Sequence, residues 1–116
     1  MKLKINDNDL SVSVCFTKQQ ITQGMQNKRF ENFDGMLFLL NPGPQSFWMY
    51  KCIIPLDIIF INNDEIVKIY DDCPPCQNEP CDRFTASHSN MVLELPANKS
   101  NELGLKVGDK VKLTLT

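Results

Sequence analysis

Apolar and polar positions alternate along the first part of the chain. Leu10, Val12, Val14 and Phe16 are apolar, and Ser11, Ser13 and Cys15 lie between them. A period of two is the signature of a strand with one buried face. Lys2 to Ile5 alternates in the same way, and Asn6-Asp7-Asn8-Asp9 between the two reads as a hairpin turn. The alternation stops at Thr17-Lys18-Gln19-Gln20. A Thr followed three residues later by Gln is a capping box, so a short helix is expected from there to about Gly24 or Met25. Asn27 to Asp34 is polar and shows no period.

Apolar runs then replace alternation. Gly35 to Leu40 reads as a buried strand, Asn41-Pro42-Gly43-Pro44 as a turn, and Gln45 to Met49 as a returning strand. The longest apolar, β-favouring stretch is Phe47 to Ile61, which holds the single Trp. Within it, Leu56 to Ile61 is apolar except for Asp57, as in a strand covered on both faces. A buried carboxylate is costly unless it is hydrogen-bonded or paired, so Asp57 needs a defined partner. This stretch is expected to be the central strand and the approach to it.

Asn62-Asn63-Asp64 turns the chain into a strand over Glu65 to Tyr70. Asp71 to Asn90 is expected to be the longest loop, with Pro74, Pro75, Pro80, three cysteines and the single His. Met91 to Leu95 reads as a strand, Lys99 to Leu103 as a short helix stopped by Gly104, Val107 to Lys110 as a turn, and Val111 to Thr116 as the last strand. The expected fold is mainly β (α+β): one domain over residues 1–116, a small closed or partly open β-barrel of about seven or eight short strands with two short helices.

Composition narrows the function classes. The chain has 116 residues, 42% hydrophobic and 22% charged, which suits one soluble globular domain with a real core. A net charge of −2 provides no basic face, so neither nucleic acid nor an anionic membrane is an expected partner. No apolar run is long enough to span a bilayer, and Met1-Lys2-Leu3-Lys4 is charged too early for a signal peptide. The expected location is cytoplasmic. Five cysteines are an odd number and cannot all pair within the chain.

Several blocks occur together and in order: Gly35-Met36-Leu37-Phe38, Phe47-Trp48-Met49, Ile54-Pro55-Leu56-Asp57-Ile58-Ile59-Phe60-Ile61, Val67-Lys68-Ile69, Pro75-Cys76, Pro80-Cys81, Val92-Leu93-Glu94-Leu95-Pro96 and Leu103-Gly104-Leu105-Lys106-Val107-Gly108-Asp109. In these the chain resembles the bacterial and archaeal family called domain of unknown function 192, from about Val12 to Leu113. The resemblance implies a small barrel-like α+β fold and no established activity. The chain departs from the family pattern at Tyr50-Lys51-Cys52, where Lys-Asn-Thr is usual, and at Lys28, where Arg is usual. Many members look exported, whereas this chain starts without a leader; its short, Lys- and Asn-rich style suits a phage or another compact genome, which would place it in a virion or host cell.

Three sets of residues could carry chemistry. Cys73, Cys76, Cys81 and His88 have a spacing that could close a tetrahedral zinc site, although Pro74 and Pro75 have no amides to turn toward the sulfurs. The alternatives are a Cys76–Cys81 disulfide, which suits an exported relative and would open in a reducing cell, and cysteines merely packed or free in a loop. A redox pair of Cys73 and Cys76 would need a helix start that the prolines disfavour. Trp48, Met49, Lys51 and Asp57 form the candidate ligand-binding set: the Trp48 face would stack on a sugar or base, with a charge beside it. Trp48 could equally be a core plug, and Asp57 an acceptor for backbone N–H groups. Glu94 facing Asp57 would make the two-carboxylate arrangement of a glycosidase. The leading expectation is an accessory or binding module with a Trp48-lined groove for a small ligand such as a saccharide, or for a protein partner. The alternatives are a structural subunit of a homo-oligomer or larger assembly, and a hydrolase or redox enzyme using the cysteine loop or the acidic residues.

Overall fold

The computed structural model describes residues 1–114. Seven strands and two short helices follow one another: β1 (Lys2–Ile5), β2 (Asn8–Cys15), α1 (Lys18–Gln23), β3 (Gly35–Phe47), β4 (Leu56–Asn62), β5 (Glu65–Cys73), β6 (Phe84–Pro96), α2 (Lys99–Glu102) and β7 (Val111–Thr114). They form one sheet in the order β5-β4-β6-β3-β2-β1-β7. Every neighbouring pair is antiparallel except β2 and β3. A parallel pair cannot be joined by a tight turn, and α1 with the irregular stretch after it provides the crossover.

The sheet curls into a half-barrel whose two edge strands meet at one corner. There the Val111 N–H donates to Asp64 O at 2.9 Å, and the Ile66 N–H to Asp109 O at 2.9 Å. Glu65 and Lys110 pair as an isolated bridge and through their side chains. The barrel is therefore partly open, within the range the sequence predicts.

Both faces of the sheet are buried, which explains the unbroken apolar runs. The inner face carries Leu3, Ile5, Leu37, Ile59, Ile61, Leu93 and Leu95, roofed by Leu105 and Val111. The outer face carries Met36, Phe38, Ile58, Phe60 and Val92. It is covered by Met25, Met49 and Cys52 and by half-buried Ile21, Phe30 and Phe33, from α1 and the irregular segments. β4 lies between β5 and β6, and its residues Leu56 to Ile61 are fully buried. The apolar run is thus an interior strand, as expected, while the residues leading into it from Trp48 form a loop. No helix among the described residues is long and apolar enough to cross a membrane.

Three expectations need correction. Asn41-Pro42-Gly43-Pro44 is no turn; β3 runs through it to Phe47, with register shifts around Gly43. Beyond Phe38 only β6 pairs with β3, so the other edge is free there and two residues without N–H groups are tolerated. Asp71 to Asn90 is not one loop either. β5 extends to Cys73 and β6 begins at Phe84, leaving only residues 74–83 irregular. The early part of β6 hides because Ala86 and Ser89, its buried residues, are too small or polar to show apolar alternation. Last, the strand predicted from Gln45 to Met49 ends at Phe47. The final two positions of the predicted strand Val111 to Thr116 lie outside the described residues.

Candidate functional site

The capping box forms as predicted. The Thr17 hydroxyl accepts from the Gln20 N–H at 3.1 Å, and the Gln20 side chain accepts from the Thr17 N–H at 3.2 Å. α1 ends at Gly24, whose φ of 45° an L side chain rarely adopts; an added Cβ there would meet the Phe38 ring at 3.2 Å. The end of α1 is thereby pinned against the sheet. It forms one wall of a cleft of about 240 Å³ on the outer face.

Phe47 to Cys52 forms the facing wall. Phe47 still pairs with Phe84 of β6, and beyond it the segment is irregular and held by isolated backbone bonds. The Asn27 N–H donates to Lys51 O at 2.8 Å, the Lys51 N–H to Cys76 O at 2.9 Å, and the Cys76 N–H to Met49 O at 3.1 Å. The Gln77 amide adds a bond to Cys52 O at 2.7 Å. Cys76 and Cys81 are joined as a disulfide, which ties off the loop that makes these contacts. The cysteine loop is thus a brace for the Trp48 segment. Just beyond it, the Arg83 guanidinium lies 4.1 Å from the Trp48 ring centroid, and Trp48 packs against Tyr50 with centroids 4.9 Å apart.

Glu94 lines the floor of the cleft. It sits on β6 opposite Met36 of β3 and Ile58 of β4, in an apolar row, and is 3% exposed. No described residue makes a hydrogen bond or ion pair with its carboxyl. Burial alone pushes that carboxyl up to about 8. The neighbouring Cys52 thiol is pushed up to about 12, chiefly by burial and further by the Glu94 charge. Cys73 rises to about 12 for the same leading reason, so it carries little thiolate.

The four ligand candidates part company. Trp48 lines the cleft. Met49 is buried in the core beside it. Lys51 is exposed, in a left-handed conformation with φ 61°, and its Nζ lies 5.2 Å from the Tyr50 ring centroid. Asp57 is on the opposite face, fully buried, where its Oδ1 accepts from the Asp72 and Asn98 N–H groups at 2.8 and 3.0 Å. Its Oδ2 accepts from the Ser100 N–H and hydroxyl at 2.9 and 2.7 Å. Asn98 makes no side-chain cap bond for α2, and Asp57 supplies that acceptor from β4.

Asp57 pairs in register with Leu95 and Glu94 with Ile58, so the two carboxylates point to opposite faces of the sheet. The glycosidase arrangement is overturned by that alternation. The zinc set does not converge either. Cys76 and Cys81 are bonded to each other, Cys73 is buried at the end of β5, and His88 is exposed on β6 beside Ser87. Among the described residues no three His, Cys, Asp or Glu side chains gather to hold a metal. Arg83 is a cleft residue that sequence reasoning missed. Arg83 lay inside the supposed loop, and only its place after the braced turn carries it over Trp48.

A curled half-barrel sheet with a lateral cleft, beside a disulfide-tied loop, defines a small β-module. The chain belongs to the family DUF192, described as an uncharacterized ACR, whose profile matches residues 1–113. It is similar to a solved structure of a protein of unknown function from Novosphingobium aromaticivorans DSM 12444, with 27% identity and a TM-score of 0.86, covering 97% of this chain and 84% of that one. It is also similar to a Sinorhizobium meliloti 1021 protein provisionally described as a transcription regulator, with 28% identity and a TM-score of 0.84, covering 96% of this chain and 89% of that one. Among curated proteins, none matches the chain.

Proposed function

We propose that the chain is an accessory binding module that takes a small ligand in the Trp48 cleft and performs no chemistry on it. The observation that carries this reading is the cleft itself: aromatic walls, a cation at the mouth and, at the floor, a carboxyl with no partner among the described residues. Pockets for small molecules combine apolar walls with a few placed polar groups in this way. Its volume of about 240 Å³ suits a ligand the size of a monosaccharide or an amino acid. Two features favour binding over catalysis. Asp57 is consumed by four hydrogen bonds on the other face, leaving Glu94 without a second carboxylate. The free thiols of Cys15, Cys52 and Cys73 are buried and pushed upward, the reverse of what a nucleophile needs.

The test uses Trp48 as its own reporter, since it is the single Trp. A panel of monosaccharides, amino sugars and amino acids is titrated while Trp48 emission is followed, and hits are repeated by calorimetry with Trp48→Ala. The expected result is a saturable emission change and a loss of about tenfold or more in affinity in the variant. Binding of equal strength by Trp48→Ala would place the ligand elsewhere and end this reading.

A further inference from the structure

Among the described residues Glu94 is the acid that lines the cleft and has no hydrogen bond or ion pair within the chain, and its carboxyl oxygens open to the cleft rather than being sealed in the core. It is 3% exposed, and its carboxyl has no partner among the described residues. A carboxyl that lines a cleft and has no partner in the chain keeps its acceptor positions for solvent or for a ligand. The groups around Glu94 do not neutralise it. Met36 and Ile58 flank it on the sheet, and Phe38 and Met25 line the cleft beside it. The titratable groups near enough to feel its charge are the Cys15, Cys52 and Cys73 thiols, which burial keeps protonated at neutral pH. Lys28 acts on Cys15, yet burial is the sole influence on Glu94 itself. Arg83 lines the same cleft, and among the described residues it forms no salt bridge with Glu94.

At the mouth the geometry is complementary. The Arg83 guanidinium lies over the Trp48 ring, 4.1 Å from its centroid, and no described carboxylate pairs with it. An arginine held over an aromatic ring and without a carboxylate partner keeps N–H donors for a planar anion. The cleft thus offers a floor that lacks a cation, a mouth that lacks an anion, and apolar walls between.

We propose, building on the binding reading above, that the cleft takes a small zwitterion, an amino acid or similar amino-carboxylate, with its ammonium on Glu94 and its carboxylate on Arg83. A purely cationic ligand would face Arg83 unpaired at the mouth, and a purely anionic one would be repelled by Glu94 once that carboxyl ionises. A neutral sugar would leave both charges without counterparts. A zwitterion of the right length satisfies both, and its side chain packs on Phe47 and Trp48. Ammonium binding selects the ionised carboxylate, so a protonated Glu94 gives up its proton to solvent as the ligand enters. Affinity therefore rises with pH toward about 8 and levels off above it, until the ligand's own ammonium deprotonates.

Three probes of similar shape separate the charges: L-phenylalanine, phenethylamine and 3-phenylpropionate. Each is titrated into wild-type protein, Glu94→Gln and Arg83→Gln, with Trp48 emission and calorimetry in two buffers of different ionisation enthalpy as readouts. Glu94→Gln keeps the shape of the protonated side chain, so the fold is retained. Phenylalanine is expected to bind about tenfold or more tightly than either singly charged probe, with proton release at pH 7. Glu94→Gln should weaken phenylalanine and phenethylamine by about tenfold and abolish the proton release, while leaving phenylpropionate no weaker. Arg83→Gln should weaken phenylalanine and phenylpropionate. Equal binding of all three probes, or unchanged phenylalanine affinity in Glu94→Gln, overturns the zwitterion assignment. If the probes fail while a saccharide binds with a Trp48 response, the assignment falls and the binding module stands. If neither binds, both fall.

Discussion

Two carboxylates are buried in neighbouring strands of one sheet, and the protein treats them in opposite ways. Asp57 on β4 faces the side of α2 and accepts four hydrogen bonds from Asp72, Asn98 and Ser100. Glu94 on β6 faces the cleft and accepts none from the described residues. The burial is nearly the same, 0% and 3% exposed, so burial does not separate the two acids. What separates them is satisfaction. Asp57 organises the α2 end of the domain, whereas Glu94 faces the cleft with no partner in the chain, as the proposed ligand site requires.

The largest effect should come from breaking the satisfied side. Asp57→Ala strands four donors in a dry site and should cost about 5 kcal/mol of unfolding free energy, measured by urea denaturation. A cost under about 1 kcal/mol would mean that Asp57 is as idle as Glu94, and the comparison would collapse.

The unsatisfied side should show itself in pH. The Glu94 carboxyl moves from an ordinary value of 4.5 in the unfolded chain to about 8 in the folded one. The folded state therefore binds more protons between those values. The stability Glu94 contributes is complete below about pH 4.5 and is lost as pH rises toward 8. Relative to Glu94→Gln, the wild type should lose about 4 kcal/mol across that window. Parallel stability curves for the two proteins would contradict this.

Two smaller tests ask whether the cleft is braced independently of the Asp57 end. Replacing Cys76 and Cys81 together by Ser should lower stability by about 2 kcal/mol, the chain-entropy value for so short a loop. It should also broaden the NMR signals of Trp48 and Arg83 while leaving those of Ser100 sharp. Thr17→Ala removes half of the capping box at the α1 wall and should cost about 1 kcal/mol, read from the thermal midpoint.

Much of the fold was legible because its signals are local. The capping box at Thr17 and Gln20, the alternation of β2 and the run of β4 each need only a few neighbouring residues. Asp57 was legible as a charge that must be satisfied, although its partners lie 15 to 43 residues away along the chain. The length of β6 was concealed because its early buried positions are Ala86 and Ser89, and Pro42 and Pro44 suggested a turn because their free edge is a property of the sheet. The cleft was half legible. Trp48 stood out as the single Trp, but Arg83, which lines the cleft where Lys51 does not, gave no signal, and Glu94 was weighed only as a partner for Asp57. Their convergence depends on how α1, the Trp48 segment and the tied cysteine loop fold against one face.

The most direct test of the difference between the two acids is the titration of the Glu94 side-chain carboxyl carbon by NMR in protein labelled at Glu. The account predicts a midpoint near 8 that falls when a cationic partner occupies the cleft. A midpoint in the ordinary carboxylate range, unmoved by any ligand, would show that Glu94 is solvated or already paired, and the cleft would lose the group on which its assignment rests.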